Sequence, residues 1–182
     1  YIYCNKNGLA NTRTYLISRG FILIALEFTL VKLAWHFNLD YSTIALLVIW
    51  ALGMSMLLLA LSTWLQHQYI LAIGVVIILF HNLLDTVTVG DSGFTALLWH
   101  ILHQSGSVTL SSGFSVKILY PILPIYGIIC LGYGIGNWFT DETAETRRGL
   151  FKRMSLILLL ASITIRLINE YGDPIPWVPN QH

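Results

Sequence analysis

The sequence predicts an all-α, polytopic transmembrane bundle of about five spans. Composition is the first reason: hydrophobic residues make up 55% of the chain and charged residues only 10%, too little polar surface to clothe a soluble domain. Patterning is the second. The apolar residues fall into five runs, most of them long enough to cross a hydrocarbon core of roughly 30 Å as helices. The third is the position of the charges, most of which lie in the gaps between runs. Helices are expected because every backbone N–H and C=O must be satisfied inside the lipid. The runs also lack the alternation of barrel strands.

The expected spans are residues 15–37, 43–65, 69–84, 118–139 and 150–168, all within a single transmembrane domain over 1–182. Lys6, Arg13 and Arg19 precede or open the first span. Arg147, Arg148, Lys152 and Arg153 lie around the start of the fifth. With five spans these two basic groups share one side. The other side holds Asp40, Asp85, Asp91, Glu170 and Asp173, with Lys117 as its basic residue. The positive-inside rule then puts the N-terminus in and the C-terminus out. Most of the six tryptophans sit near span ends, as interfacial anchors do; Trp50 lies within a span.

A net charge of +1 gives no case for nucleic acid. Cys4 and Cys130 fall at an inner end and inside a span, so no disulfide is expected. The opening residues, YIYCNKNGLANTR, read as an interior loop. The chain is expected to be an internal piece of a longer protein.

Several polar residues stand out against this background. Glu27 lies in the middle of the first span, where a charge costs about 2.5–3.5 kcal/mol on insertion scales. Lys32 is five residues on, roughly 140° around the helix, so the two make a poor pair. Arg166 in the fifth span is the expected partner of Glu27. That pair reads either as an interhelical salt bridge or as part of a cavity lining. The third span ends HNLLD, which puts His81 and Asp85 four apart on one helix face. Asp85 would orient His81 as a general base; the bland reading is a capped helix end.

The long outer loop, 86–117, exceeds what a connector needs. Its apolar centre, FTALLWHILHQ, reads as a short interfacial helix carrying His100 and His103. These histidines lie three apart without a fixed-spacing partner set, and no metal is expected. The fourth span, YPILPIYGIICLGYGIG, places Pro121 and Pro124 in its first turns, where proline is tolerated. Gly127, Gly132, Gly134 and Gly136 allow a close helix neighbour. After the fifth span, RLINEYGDPIPW predicts a rigid turn. Asn82, Tyr120, Asn169, Tyr171, Asp173 and Trp177 thereby gather on the outer side with the histidines, as a candidate substrate-binding surface.

The ordered stretches SRGFILIALEFTLVKLAWHFN, IWALGMSMLLLAL, HNLLD, LLWHILHQ, YPILPIYGIICLGYGIG and RLINEYGDPIPW carry a resemblance. Together they resemble the heparan-alpha-glucosaminide N-acetyltransferase catalytic-domain family, mainly its bacterial members. One departure is Ile125, where bacterial relatives usually place Trp after the proline. The resemblance implies a transmembrane acyltransferase that moves an acetyl group from acetyl-CoA, as co-substrate, to an amino sugar or envelope glycan across the bilayer. It implies a bacterial inner (cytoplasmic) membrane and a homodimer. The histidine implicated in the family's transfer lies in an upstream helix pair and maps onto no residue here. His81, Asp85, His100 and His103 are then supporting candidates. Arg147, Arg148, Lys152 and Arg153 are candidates for the coenzyme A phosphates, although topology alone would also place basic residues there. The competing class is a transporter or flippase-like bundle with Glu27 and Arg166 as its coupling pair. No inverted repeat supports it.

Overall fold

In the computed structural model, residues 1–37, 40–111, 113–140 and 142–168 are described. The chain divides into two compact units, Tyr1–Gly136 and Asn137–His182. Most of it is helical.

In the first unit, a short helix α1 (Ile2–Asn7) leads into α2 (Leu9–Leu26). The helix runs on through a π turn at Glu27–Val31 into α3 (Lys32–His36). Strand β1 (Thr43–Leu46) and helix α4 (Val48–Ser62) follow, then α5 (His67–Phe80), which tightens into a 3₁₀ segment at His81–Thr86. Next come α6 (Gly93–Leu102), β2 (Gly106–Ser111), β3 (Phe114–Ile118) and α7 (Ile122–Gly134), followed by a 3₁₀ segment at Ile135–Phe139 whose last three residues belong to the second unit. Pro121 stands just before the first residue of α7, where its missing N–H leaves no gap in the helix.

Helix packing follows from small residues. α2 lies on α4, α4 on α7, and α7 on α5. A Cβ at Gly53 would sit 2.8 Å from the Gly20 carbonyl oxygen, and one at Gly20 would sit 2.9 Å from that of Gly53. α2 and α4 thus cross backbone to backbone. The α5–α7 crossing repeats the device. A Cβ at Gly74 would lie 2.8 Å from Leu131 N and 2.9 Å from Gly127 O. In lipid such close approach takes the place of hydrophobic burial as the source of cohesion. Gly132, expected to serve the same purpose, faces open space. Just past the C-terminal end of α4, Arg13 Nε donates to Thr63 Oγ1 at 3.0 Å, and its guanidinium lies 3.8 Å over the Trp64 ring.

Outside the helices lies a three-stranded sheet of order β1-β3-β2, with β1 parallel and β2 antiparallel to β3. Its apolar face packs with α6 and the N-terminal ends of α4 and α7. That core contains Leu46, Trp50, Ala51, Ala96, Val108, Val116, Ile118 and Ile122. A fully buried aliphatic side chain of this kind is worth about 1.5–3 kcal/mol relative to an exposed one.

The second unit contains α8 (Ala144–Ile168). Thr143 caps it, accepting from the Thr146 N–H at 3.2 Å. Phe151 packs on Trp138 and Phe139.

The structure corrects several expectations. The fold is mostly helical but not all-α, because β1, β2 and β3 form a sheet. The run 43–65 is not one helix: its first residues pair with β3, leaving α4 shorter. Within residues 86–117 the expected short helix is present as α6, but the stretch after it is not loop: it holds β2 and most of β3. Residue 118 belongs to β3, so the fourth helix begins at Ile122. The basic residues from Arg147 to Arg153 lie on α8 itself, which starts before residue 150. Among the described residues, two helical segments are long and apolar enough to cross a membrane, His67–Thr86 and Ile122–Phe139. The helical runs through Glu27 and through Arg166 carry more charge.

Candidate functional site

The outer layer brings together two elements far apart in sequence. Asp85 stands on the 3₁₀ segment that prolongs α5. His103 directly follows α6, where its N–H donates to the Trp99 carbonyl at 2.8 Å. His103 Nε2 lies 2.9 Å from Asp85 Oδ1. The imidazole is almost fully enclosed, with its side chain 2% exposed, while the carboxylate is 42% exposed.

The expected Asp85–His81 pair is therefore replaced. His81 Nδ1 lies 3.0 Å from the Ile77 carbonyl oxygen, and that acceptor requires the proton on Nδ1. With its ring turned back on its own helix, His81 leaves Asp85 to His103. The two histidines still meet edge to face, with ring centroids 6.3 Å apart. Asn82 is half-buried on the same turn.

The carboxylate fixes the tautomer of His103. Nε2–H donates to Asp85, and the lone pair is left on Nδ1. Nδ1 is buried without a hydrogen-bond partner among the described residues, and so is the indole Nε1 of Trp99. The two rings are neighbours, with centroids 5.2 Å apart. A buried acceptor and a buried donor thus stand unsatisfied on neighbouring rings. Each such group costs about 1–3 kcal/mol until something bonds to it. A bound hydroxyl or amine offers both a donor and an acceptor.

His100 occupies a separate niche. Its Nδ1 lies 3.0 Å from the Gln104 carbonyl oxygen, and its Nε2 is 3.9 Å from Asp91 Oδ1. Gly106 makes room for this ring: a Cβ there would lie 2.6 Å from His100 Nδ1.

Glu27 is buried at the π turn and accepts the Trp50 N–H at 3.0 Å. Trp50 lies in the first turn of α4, so the carboxylate caps a helix N-terminus from a neighbouring helix, where four N–H groups lack internal partners. Lys32 turns to the sheet, donating from Nζ to the Thr43 carbonyl at 3.0 Å. Arg166 lies near the end of α8, in the second unit. Tyr120 follows β3 and lines two clefts with Lys117. Arg148, Lys152 and Arg153 are exposed on α8, and Arg147 packs over Phe139 with its guanidinium carbon 5.4 Å from the ring centroid. Asn169, Tyr171, Asp173 and Trp177 lie outside the described residues.

Sequence reasoning missed the His103–Asp85 pairing, the role of Trp99 and the cap made by Glu27. Spacing along a helix carries no signal for partners that meet across elements.

No curated protein and no solved structure matches the chain. The family model described as "Heparan-alpha-glucosaminide N-acetyltransferase, catalytic" matches residues 5–167, and the chain belongs to that family.

Proposed function

We propose that this chain is part of a membrane acetyltransferase that moves an acetyl group from acetyl-CoA to an amino sugar or envelope glycan. His103 and Asp85 would act on the acceptor side. The observation that carries this reading is the enclosed His103 imidazole, held through Nε2 by Asp85 with Nδ1 left unpartnered. An acceptor ammonium must lose a proton before it can attack. His103 Nδ1 takes that proton, and Asp85 faces the charge that appears on the ring. The freed amine attacks the thioester carbonyl, and the C–S bond breaks as the C–N bond forms. The thiolate of coenzyme A leaves and takes up the second proton of the newly acylated nitrogen, and His103 gives up the first once the product has departed. The Trp99 N–H would hold an acceptor oxygen beside the base.

The arrangement proposed in the bilayer has five spans, with the N-terminus in and the C-terminus out. The first and fifth spans would be the charged helical runs α2–α3 and α8, and α4 would need its flanking residues to reach across. Arg147, Arg148, Lys152 and Arg153 then stand on the cytoplasmic side to meet coenzyme A phosphates, and the sheet, α6 and His103 face the acceptor. A bacterial inner membrane fits this arrangement. Glu27 would anchor α4 rather than couple transport, since its carboxylate engages the helix N-terminus.

The test is thiol release from acetyl-CoA by the full protein in lipid, offered a panel of amino sugars and envelope glycans. Release should require an acceptor. His103→Ala should lower it by about 10²–10⁴-fold, the usual contribution of a positioned acid–base group. Asp85→Asn should lower it less, with a changed pH profile. Wild-type turnover in His103→Ala would remove that residue from the mechanism. Failure of every acceptor with folded protein would remove acyl transfer.

A further inference from the structure

Strand alternation gives the sheet two unlike faces. Ile44, Leu46, Val108, Val116 and Ile118 face the outer core. The register pairs Thr43 with Ser115, Ala45 and Ser107 with Lys117, and Thr109 with Ser115. The opposite face is therefore hydroxyl-rich, with Lys117 on its central strand. Thr43 Oγ1 and Ser115 Oγ share a hydrogen bond at 3.1 Å.

Two clefts meet at Lys117. One, of about 480 Å³, is lined by Ser105, Ser107 and Tyr120 among others. The other, of about 670 Å³, runs between the π turn and the start of α4, walled by Leu30, Val31, Ala34, Trp35, Val48 and Ile49. Lys117, Leu119 and Tyr120 line both. The larger cleft is apolar along its length, and its walls are open: Leu30 is 62% exposed and Trp35 73%. Its acidic group, Glu27, is engaged by the Trp50 N–H on α4.

A cation with a hydroxyl-lined notch on one side and an apolar trench on the other matches an amphiphile with a negative head. We propose that these clefts bind an anionic phospholipid drawn from the surrounding bilayer, its phosphate at Lys117, Ser107 and Tyr120 and an acyl chain in the trench. A soluble anion would use the notch alone and leave the apolar trench without a matching part of the ligand. The Glu27 carboxylate keeps a negative head out of the trench floor and so sets the direction of binding. On the acidic side of the chain Lys32 is engaged by the Thr43 carbonyl, and Lys117 runs against the charge bias of membrane proteins. A phosphate ligand gives it a reason, with the lysine stem lying along apolar surface and its ammonium at the rim. This inference does not rest on the acyl-transfer reading.

Trp35 provides the readout. The full chain is reconstituted in phosphatidylcholine nanodiscs with increasing amounts of either phosphatidylglycerol or phosphatidylcholine brominated on the acyl chains. Subtracting the Trp35→Phe signal isolates the Trp35 fluorescence. Brominated phosphatidylglycerol should reach half-quenching at about fivefold lower mole fraction than brominated phosphatidylcholine, the preference one basic residue near the surface supplies. Lys117→Gln should abolish that preference, and Lys117→Arg should keep it. Equal quenching by both lipids in the wild type overturns the proposal, as does a preference that survives in Lys117→Gln.

Discussion

The helix crossings and the outer layer of the first unit hold together by opposite means. At the α2–α4 and α5–α7 crossings, backbones touch through paired glycines, Gly20 with Gly53 and Gly74 with Gly127. The outer layer buries imidazoles and an indole instead, and leaves His103 Nδ1 and Trp99 Nε1 without partners. The crossings can be explained by cohesion alone. The outer layer cannot, because unsatisfied buried polar groups weaken a fold. The contrast is one of degree: among the described residues α4 also buries the Ser55 hydroxyl without a partner, but the layer around His103 gathers three such atoms, on Trp99, His100 and His103.

The largest effect on stability should come from the crossings. Gly74→Ala places a methyl against Leu131 N and Gly127 O, both backbone atoms that no rotamer change can move. It should destabilise the protein by about 1–3 kcal/mol, as overpacking does. Gly53→Ala, against the Gly20 carbonyl, should behave alike. Thermal unfolding in detergent measures both. Wild-type stability in either variant would mean that the crossing is looser than it looks.

The outer layer should respond differently. Trp99→Phe keeps most of the aromatic packing and removes an N–H that has no partner to lose. Stability should change by no more than about 1 kcal/mol, while the KM for the acceptor rises. A large loss of stability with unchanged KM would make Trp99 a core residue only and erase the contrast between the two regions.

How far this was legible varied by region. The paired glycines sit in apolar runs, and the helical character of those runs followed from hydropathy. Strand β1 was hidden because TIAL continues straight into LVIW without a glycine or proline to mark the break. β2 and β3 did carry a signal. GSVTLS and FSVKI alternate between small or polar and apolar residues and are bounded by glycine, as a hairpin requires. The surrounding hydrophobicity and the expectation of a loop masked it. At the site, Asp85 and His103 were each conspicuous, but helical spacing pointed Asp85 to His81. The Ile77 carbonyl decides the matter by taking His81 Nδ1, and backbone acceptors leave no trace in a sequence. The same holds for Glu27, whose carboxylate accepts the backbone N–H of Trp50.

Gly132 gives the control for the crossings. It lies on α7, near Gly127, but an added Cβ meets nothing within 4 Å. Gly132→Ala should therefore stabilise the protein by about 0.5–1 kcal/mol through helix propensity alone. A destabilisation like that of Gly74→Ala would show that the glycine effects come from the helices themselves and not from their contacts.

The smallest effect belongs to Asp40, in the connection between α3 and β1. Its carboxylate accepts the Ser42 N–H at 2.9 Å and the Ser42 hydroxyl at 2.8 Å, which together hold its pKa below the ordinary aspartate value. Because the folded value is the lower one, the stabilisation is complete above the unfolded value and is lost as pH falls through the folded one. Ser42→Ala removes the hydroxyl and keeps the N–H. The Asp40 pKa should then rise part of the way toward normal, as carboxyl NMR titration would record. The connection, being exposed and screened, should lose little stability. An unchanged titration would take the hydroxyl out of the shift and leave it to the backbone N–H and the Lys32 ammonium, and the turn would then owe its electrostatics to chain geometry rather than to the serine side chain.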